Sequence, residues 1–287
     1  MEGDPDPKLS CPPESNDTST KPKPITPMLK MYNLGAQGDE ISSNGGSGTA
    51  EILDVIRHLK KAGISSCVVG TLPLRYYGTG RIPVVTEICV PEEQLTEAAE
   101  LFKSEPLCQQ YETWPVNDPI LHSLLHIYPR FHLKGVHFVF SLVSSADWLI
   151  DCDESKCELS WMGLPYPKLE YFAQSLLYTQ RWTDLHDLID GMDLSEEWGE
   201  EHLKFDQAPS DQFAEWKNER IRATVPKTRW SIMMEISLPA PELKPIWLRF
   251  VRTKKERIPI ELDPKRWLTR YFLIGDDDPR SEQRTWC

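Results

Sequence analysis

The sequence contains no apolar run of the roughly 18 residues that a membrane-spanning helix requires. Its first fifteen residues, MEGDPDPKLSCPPES, combine acids and prolines. A secretory signal would instead have a basic patch followed by an apolar core. We therefore expect no membrane association and a cytoplasmic location. A nuclear location is the alternative.

Paired-cysteine motifs are also missing. The seven cysteines never repeat a CxxC spacing, and they are Cys11, Cys67, Cys89, Cys108, Cys152, Cys157 and Cys287. An odd, unpaired set favours reduced thiols over a disulfide framework. Cys67 and Cys89 lie within predicted strands, where packing explains them. Because Cys152 and Cys157 have no second pair nearby in the sequence, we expect no zinc site.

The common catalytic motifs are absent as well. No GxSxG elbow, Walker loop or dinucleotide-binding GxGxxG follows a predicted strand. His122 and His126 have the i, i+4 spacing of a helical metal site, but leucines interleave with them and no HExxH acid accompanies them. Packing is therefore the simpler interpretation of the two histidines.

Charge is abundant but mostly of one sign, with a net charge of -12. This balance makes nucleic acid an unlikely partner, because phosphates attract a basic face. Residues 182–219 hold twelve Asp and Glu against two Lys, whereas 220–270 hold thirteen Lys and Arg against five Asp and Glu. The two segments either neutralise each other, inside the fold or across a homodimer, or present a basic face to RNA or a nucleotide.

The chain divides by composition into four parts. Residues 1–48, rich in Pro, Ser, Thr, Gly and Asp, predict a disordered tail. An α/β core is predicted at 49–160, a helical region packed on it at 161–275, and a second tail at 276–287. The predicted fold class is α+β: a small mixed sheet with flanking helices, followed by a helical C-terminal half.

Local patterns predict the elements of this fold. A helix capped by Thr49 runs to Gly63, and Gly70-Thr71 forms a turn between a strand and a short helix. A second strand ends at Pro91, which opens the next helix. Asp193 and Glu196 suggest a capping box. The remaining predicted elements are strands at 64–69, 84–90, 126–130, 131–133 and 136–143, and helices at 72–77, 210–222, 242–256 and 264–273.

The segment from the predicted strand at 64–69 to Pro91 resembles the nucleotidyltransferase fold of the DNA polymerase beta superfamily. The resemblance rests on the strand, Gly70-Thr71, the short helix with Leu-Arg-Tyr-Tyr-Gly, then Arg81, a proline and a strand. It is strongest to the antitoxin–toxin and aminoglycoside-modifying branches. The phrases YPRF, GLPYPKL, DLIDGMDLSEEWG, VRTKKERI and DPR are similar to those of uncharacterised fungal proteins related to that superfamily.

The resemblance implies where metal-binding acids would lie. In the superfamily, two acids separated by one residue occupy the strand after the glycine turn, and here those positions are Val85 and Glu87. A third acid lies on a later neighbouring strand, but residues 136–143 contain no Asp or Glu, and Asp147 follows them. We therefore expect a catalytically inactive protein, without a bound metal, that binds a nucleotide-like ligand or a protein partner.

Two alternatives stay open. An active Mg²⁺-dependent nucleotidyltransferase would modify a hydroxylated small molecule or a protein, with Glu87 as the catalytic acid and Asp147, Asp184 or Asp187 recruited beside it. An accessory protein would involve no nucleotide at all.

Eight residues are candidates for ligand binding: Gly70, Thr71, Arg75, Arg81, Glu87, Arg181, Asp184 and Asp187. The Gly70-Thr71 turn either holds phosphate through backbone N–H groups or only permits the sharp turn. Arg75 and Arg81 either contact an anion or pair with Glu87 and the acids of the following helix. Arg181, Asp184 and Asp187 match an Arg, Asp, Asp pattern that faces the cleft in the helical part of related families. Asp184 and Asp187 are three residues apart on one helix face, so they either meet a base or ribose or join ion pairs with the basic C-terminal region.

Overall fold

A computed structural model describes residues 38–79, 81, 85–206, 211–257 and 278–281. It has a five-stranded mixed sheet, a two-stranded sheet and helices packed around them. The predicted mixed α+β class with a small mixed sheet is therefore confirmed. Within those ranges, no helix is long and apolar enough to cross a membrane.

We number the elements in chain order. The strands are β1 (Cys67–Val69), β2 (Thr86–Val90), β3 (Tyr111–Thr113), β4 (Arg130–Leu133), β5 (Val139–Ser144), β6 (Cys157–Leu159) and β7 (Pro165–Pro167). The α-helices are α1 (Thr49–Lys61), α2 (Thr71–Tyr76), α3 (Leu95–Lys103), α4 (Ser145–Trp148), α5 (Leu169–Tyr178), α6 (Trp182–Gly191), α7 (Glu196–His202), α8 (Asp211–Thr224) and α9 (Leu243–Arg252). A single helical turn, Ser43–Gly46, precedes α1.

The main sheet has the strand order β1-β2-β5-β4-β3, in which β2 and β5 are parallel and every other pair is antiparallel. Its register pairs Cys67 with Cys89, and Val69 with Glu87, across β1 and β2. Glu87 also pairs with Ser141 of β5. Because side chains alternate along a strand and paired residues point to the same face, these five residues share one face of the sheet.

The helix α1 illustrates how the sequence shapes the layer beside the sheet. Three buried residues recur at helical spacing along it: Ile52, Val55 and Leu59. The helix ends at Lys61, shortly before Gly63, as predicted. The predicted N-cap is one residue late, since Gly48 occupies that position and Thr49 is already helical and buried.

Several predicted strands differ from the structure. The first strand begins at Cys67 rather than at 64. The predicted strand at 126–130 is wrong, because Leu125–Ile127 forms a 3-10 turn. The Ser123 hydroxyl accepts a hydrogen bond from the Leu125 N–H at 3.1 Å and so stabilises that turn. Such side-chain bonds to neighbouring backbone compete with extended structure.

The second half of the chain also departs from the local patterns. Pro165–Pro167, near the start of the predicted helical region at 161–275, is strand β7 and pairs with β6. The N-cap of α7 is Ser195, whose hydroxyl accepts the Trp198 N–H, so Asp193 does not form the predicted capping box. The helix predicted at 264–273 lies outside the described residues, and the helical C-terminal half stays a prediction.

The predicted N-terminal tail extends too far along the chain. Residues 1–37 lie outside the described residues, but Asp39 and Glu40 contact β4 and the turn that follows it. Glu40 forms a β-bridge with Val136, and the Asp39 carboxylate lies 2.8 Å from His132 Nε2 of β4. The ordered core therefore begins before residue 49. Of the second predicted tail, 278–281 are described, and Pro279–Ser281 forms a 3-10 turn.

The acidic and basic segments meet through ion pairs. These pairs join Arg252 to Glu196 at 2.7 Å, Lys244 to Glu200 at 2.8 Å and Arg257 to Asp190 at 2.6 Å, and Lys254 also contacts Asp193. Neutralisation inside the fold, the first of the two interpretations of the charge pattern, is thus present along α6, α7 and α9.

Candidate functional site

Glu87 lies near the beginning of β2, directly beside the turn that connects β1 to α2. Gly70, in that turn, has φ +77°, and a Cβ atom placed on it would lie 2.6 Å from Glu87 Oε1. A side chain at position 70 would therefore be strained and would collide with the carboxylate. Gly70 thus permits the sharp change of direction, as the second interpretation of the turn requires, and it also leaves room for Glu87.

The strand next to Glu87 carries no acid. Ser141 is its partner on β5, and that strand contains no Asp or Glu from Val139 to Ser144. Val85, at the position of the first superfamily acid, is a half-buried apolar residue just before β2. The backbone thus places an apolar side chain and a hydroxyl beside the one carboxylate.

Asp147 is held between two cations. It belongs to α4, which begins directly after β5, so the short connection brings its carboxylate towards the same region. Lys217 of α8, fully buried, places its Nζ 2.8 Å from Asp147 Oδ1, in an ion pair without aligned hydrogen-bond geometry. Arg181 Nη2 lies 3.3 Å from Asp147 Oδ2. The Arg181 guanidinium also stacks 3.6 Å from the centroid of Trp148.

These charged groups shift one another's pKa values. Loss of hydration on burial raises the pKa of Glu87 to about 7, with Arg181 opposing the shift and Asp184 and Asp147 adding to it. Burial also lowers the pKa of Lys217 to about 8, although Asp147 opposes this. Burial by itself would raise the pKa of Asp147, but Lys217 and Arg181 outweigh that effect and hold it below its usual range.

A second group of charges lies on α6. Arg81 contacts the Asp184 carboxylate, and its Nη1 lies 3.3 Å from Asp187 Oδ2. The Thr79 hydroxyl donates a hydrogen bond to the Asp187 carbonyl at 3.0 Å. The segment around Arg81 is therefore fastened to α6. Asp184 raises and Arg81 lowers the pKa of Glu87, so this second group of charges lies close enough to act on the Glu87 carboxylate.

One predicted pairing needs correction. The sequence leaves Arg81 either to contact an anion or to pair with Glu87 and the acids of the following helix, but Arg81 forms ion pairs with Asp184 and Asp187, about a hundred residues later in the sequence, on α6. Local sequence separation gave no guide to these partners. The ion pairs of Asp184 and Asp187 with the basic C-terminal region stay a prediction, because part of that region lies outside the described residues; within the described part, Asp190 pairs with Arg257.

The structure brings six of the eight candidates into one neighbourhood: Gly70, Arg81, Glu87, Arg181, Asp184 and Asp187. Thr71 and Arg75 are half-buried on α2. Sequence reasoning missed Lys217. Its signal was present, since Ala214, Lys217 and Ile221 follow the spacing of the buried face of α8, and a lysine on such a face needs a buried counter-charge.

In the part of the chain that the structure describes, the carboxylates do not form a compact metal site. Among the described residues, the one set of three candidate ligand atoms within 4.8 Å of one another consists of Cys67, Cys89 and Cys152. Glu87 and Asp147 belong to no such set. A depression elsewhere on the surface is lined by Asp151, Lys156 and Tyr171, among others, and by none of the predicted site residues.

In comparisons with known proteins, no family model and no curated protein matches this chain.

Proposed function

We propose that this protein is a nucleotidyltransferase-like protein that has lost metal-dependent transfer and binds a nucleotide-like ligand beside Glu87. The observation that carries the proposal is the position of Asp147 between Lys217 and Arg181. Those two side chains supply the positive charge that a divalent ion would otherwise bring to the acids. The helix–strand–helix–strand order of α1, β1, α2 and β2 supports the family resemblance on which the proposal also depends.

The chemistry of magnesium explains why transfer is not expected. Mg²⁺ takes oxygen ligands in a near-octahedral arrangement and needs carboxylates that converge on it. Here one carboxylate faces a serine on the neighbouring strand, and the next acid is neutralised by buried cations. An ion placed among them would be repelled by Arg181 and Lys217 and would lack a second free acid.

The same residues suit a polar ligand that brings its own negative charge. The side chains of Arg81 and Asp184 are 24% and 21% exposed, so both are reachable from solvent. A guanidinium binds phosphate through paired N–H groups, and a carboxylate accepts hydrogen bonds from ribose hydroxyls. Glu87, with a pKa of about 7, can donate a hydrogen bond when it is protonated.

Equilibrium binding and transfer can be measured with the same reagents. Purified protein is incubated with ATP, CTP, GTP and UTP labelled on the α-phosphate, with Mg²⁺ or Mn²⁺, and label is followed both as bound and as covalently transferred. We expect binding without transfer. Arg81→Gln should weaken binding about tenfold or more, the effect of a lost charge-assisted hydrogen bond.

Arg57→Gln is the matched control, because Arg57 is exposed on α1 and should leave binding unchanged. Transfer that Glu87→Gln abolishes would establish the enzyme alternative instead. If none of the four nucleotides binds, the accessory-protein alternative replaces this proposal.

One observation favours a protein partner as a second candidate. Two segments, joined by a 3.0 Å hydrogen bond from the His122 N–H to the Met234 carbonyl, carry large exposed apolar side chains. They are Val116, Ile120, Leu121, Trp230, Ile232 and Met233. Exposed apolar patches mark interaction surfaces. If the partner is a second copy, sedimentation should show a dimer that the double variant Ile232→Glu/Met233→Glu converts to monomer; a wild-type monomer would exclude the homodimer.

A further inference from the structure

Three of the cysteines meet in the core although they are scattered along the chain. The Sγ atoms of Cys67, Cys89 and Cys152 all lie within 4.8 Å of one another, and each of the three residues is buried. The Cys67 and Cys152 sulfurs are 3.7 Å apart. Cys157, half-buried, lies outside that set of three, at the first residue of β6. We call these four residues the thiol cluster.

The fold builds the cluster from four separate segments. Cys67 and Cys89 are directly opposite each other on the antiparallel strands β1 and β2, so their side chains point to the same face. Cys152 follows α4, and its thiol lies 3.3 Å from the Cys89 carbonyl. Cys157 begins β6, whose partner β7 packs against β1. Each position is fixed by an element with its own packing.

The distance between the Cys67 and Cys152 sulfurs matches that of two ligands of one metal ion and differs from that of a disulfide. A disulfide holds its sulfurs about 2.05 Å apart. With Zn–S bonds of about 2.3 Å, a tetrahedral ion separates its ligand sulfurs by about 3.8 Å. The 3.7 Å between Cys67 and Cys152 is close to that edge length.

We propose that Cys67, Cys89, Cys152 and Cys157 bind one Zn²⁺ ion in a tetrahedral structural site. Binding replaces the four thiol protons, which leave to solvent, and produces a zinc–tetrathiolate centre with a net charge of -2. The ion fastens the β6–β7 hairpin and the segment after α4 to the strands β1 and β2.

Packing alone is the competing explanation, because a buried cysteine often behaves as a small apolar residue. Two features favour metal binding. The thiols face one another rather than apolar side chains alone, and the Sγ atoms of Cys67 and Cys152 are separated by about the edge length of a tetrahedral zinc site.

The first test is metal content. Protein purified under reducing conditions without chelator should contain about one zinc per chain. Cys152→Ser should lose it, and Cys108→Ser should retain it, since Cys108 is outside the thiol cluster. Replacement by Co²⁺ should give the sulfur-to-metal charge-transfer bands and intense visible bands of a tetrahedral thiolate site.

A second variant tests zinc binding in a protein that should still fold. Cys157→Ser changes the half-buried ligand and should keep native circular dichroism while zinc affinity, measured by competition with a chromophoric chelator, falls at least tenfold. A chelator should lower the melting temperature of the wild type and Cys108→Ser but not of Cys152→Ser. Unchanged affinity in Cys157→Ser would overturn its assignment as a ligand.

The site as a whole would be overturned if reduced wild-type protein, incubated with Zn²⁺, binds none. It would equally be overturned if peptide mapping without reductant shows a Cys67–Cys152 disulfide in protein taken from a reducing cytosol. The nucleotide-binding measurement above does not depend on either result.

Discussion

Glu87 and Cys89 stand two residues apart on the same face of β2, yet their surroundings differ in kind. Near Glu87, the acid Asp147 is already neutralised by Lys217 and Arg181. Near Cys89, the thiols face one another. Neutralised acids leave little attraction for a metal ion, whereas convergent thiols gain from one. The contrast teaches that the counter-charges brought by later helices, and not the strand itself, determine what each end of β2 can bind.

Among the tests of this contrast, the removal of Asp147 should change the free energy of unfolding most. Asp147→Ala leaves Lys217 and Arg181 buried without their counter-charge, which should lower the free energy of unfolding by about 3–5 kcal/mol. Urea denaturation measures the change. Glu154→Ala is the control, because Glu154 and its partner Lys60 are 84% and 74% exposed. It should cost less than about 1 kcal/mol.

The double variant Asp147→Leu/Lys217→Met sharpens the result. It removes both charges, so it should recover part of the loss. An Asp147→Ala protein as stable as the wild type would show that the buried pair does not neutralise the site.

Gly70 should give the next largest effect. Gly70→Ala places a methyl group at positive φ and 2.6 Å from Glu87 Oε1, so we expect a loss of about 2–3 kcal/mol by denaturation. Gly63→Ala has a similar φ of +79° but meets no atom within 4 Å, and should cost about 1 kcal/mol. Adding Glu87→Ala to Gly70→Ala should restore part of the stability. If Gly70→Ala and Gly63→Ala lose equal stability, the contact with the Glu87 carboxylate does not contribute to the effect at Gly70.

The pH dependence of Glu87 is a smaller effect. Its pKa is raised from 4.5 to about 7, so the folded state holds the proton more tightly than the unfolded state. Its contribution to stability is therefore complete below about 4.5 and is lost as the pH rises through 7. Glu87→Gln should remove this loss, of order 1–3 kcal/mol, when stability is compared at pH 5 and pH 8. Parallel pH profiles in the two proteins would contradict the shift.

The smallest effect should come from the ion pairs outside the site. Arg252 and Glu196 are 62% and 35% exposed, and solvent screens their attraction. Arg252→Ala should change the free energy of unfolding only slightly, and 1 M salt should reduce the difference further. A larger, salt-independent loss would mean that this pair stabilises the fold as the buried pair at Asp147 does.

The sequence by itself determined the features that depend on neighbouring residues. The spacing of Ile52, Val55 and Leu59 predicted α1, and the β-branched runs predicted β1 and β2. The sequence also showed that residues 136–143 contain no acid, and β5, which most of them form, therefore has none. Turns that depend on one side chain, such as the one that Ser123 stabilises, were missed, because several local conformations compete at similar free energy.

Only the tertiary structure decided which distant groups meet. Lys217 reaches Asp147 across seventy residues, and the thiol cluster combines four segments that have no recognisable spacing in the sequence. The physical reason is that charge pairing and metal binding act through space over a few ångströms, whereas sequence patterns record only which residues are near along the chain. The packing of β1, β2 and the helices sets those distances, and with them the chemistry of each site.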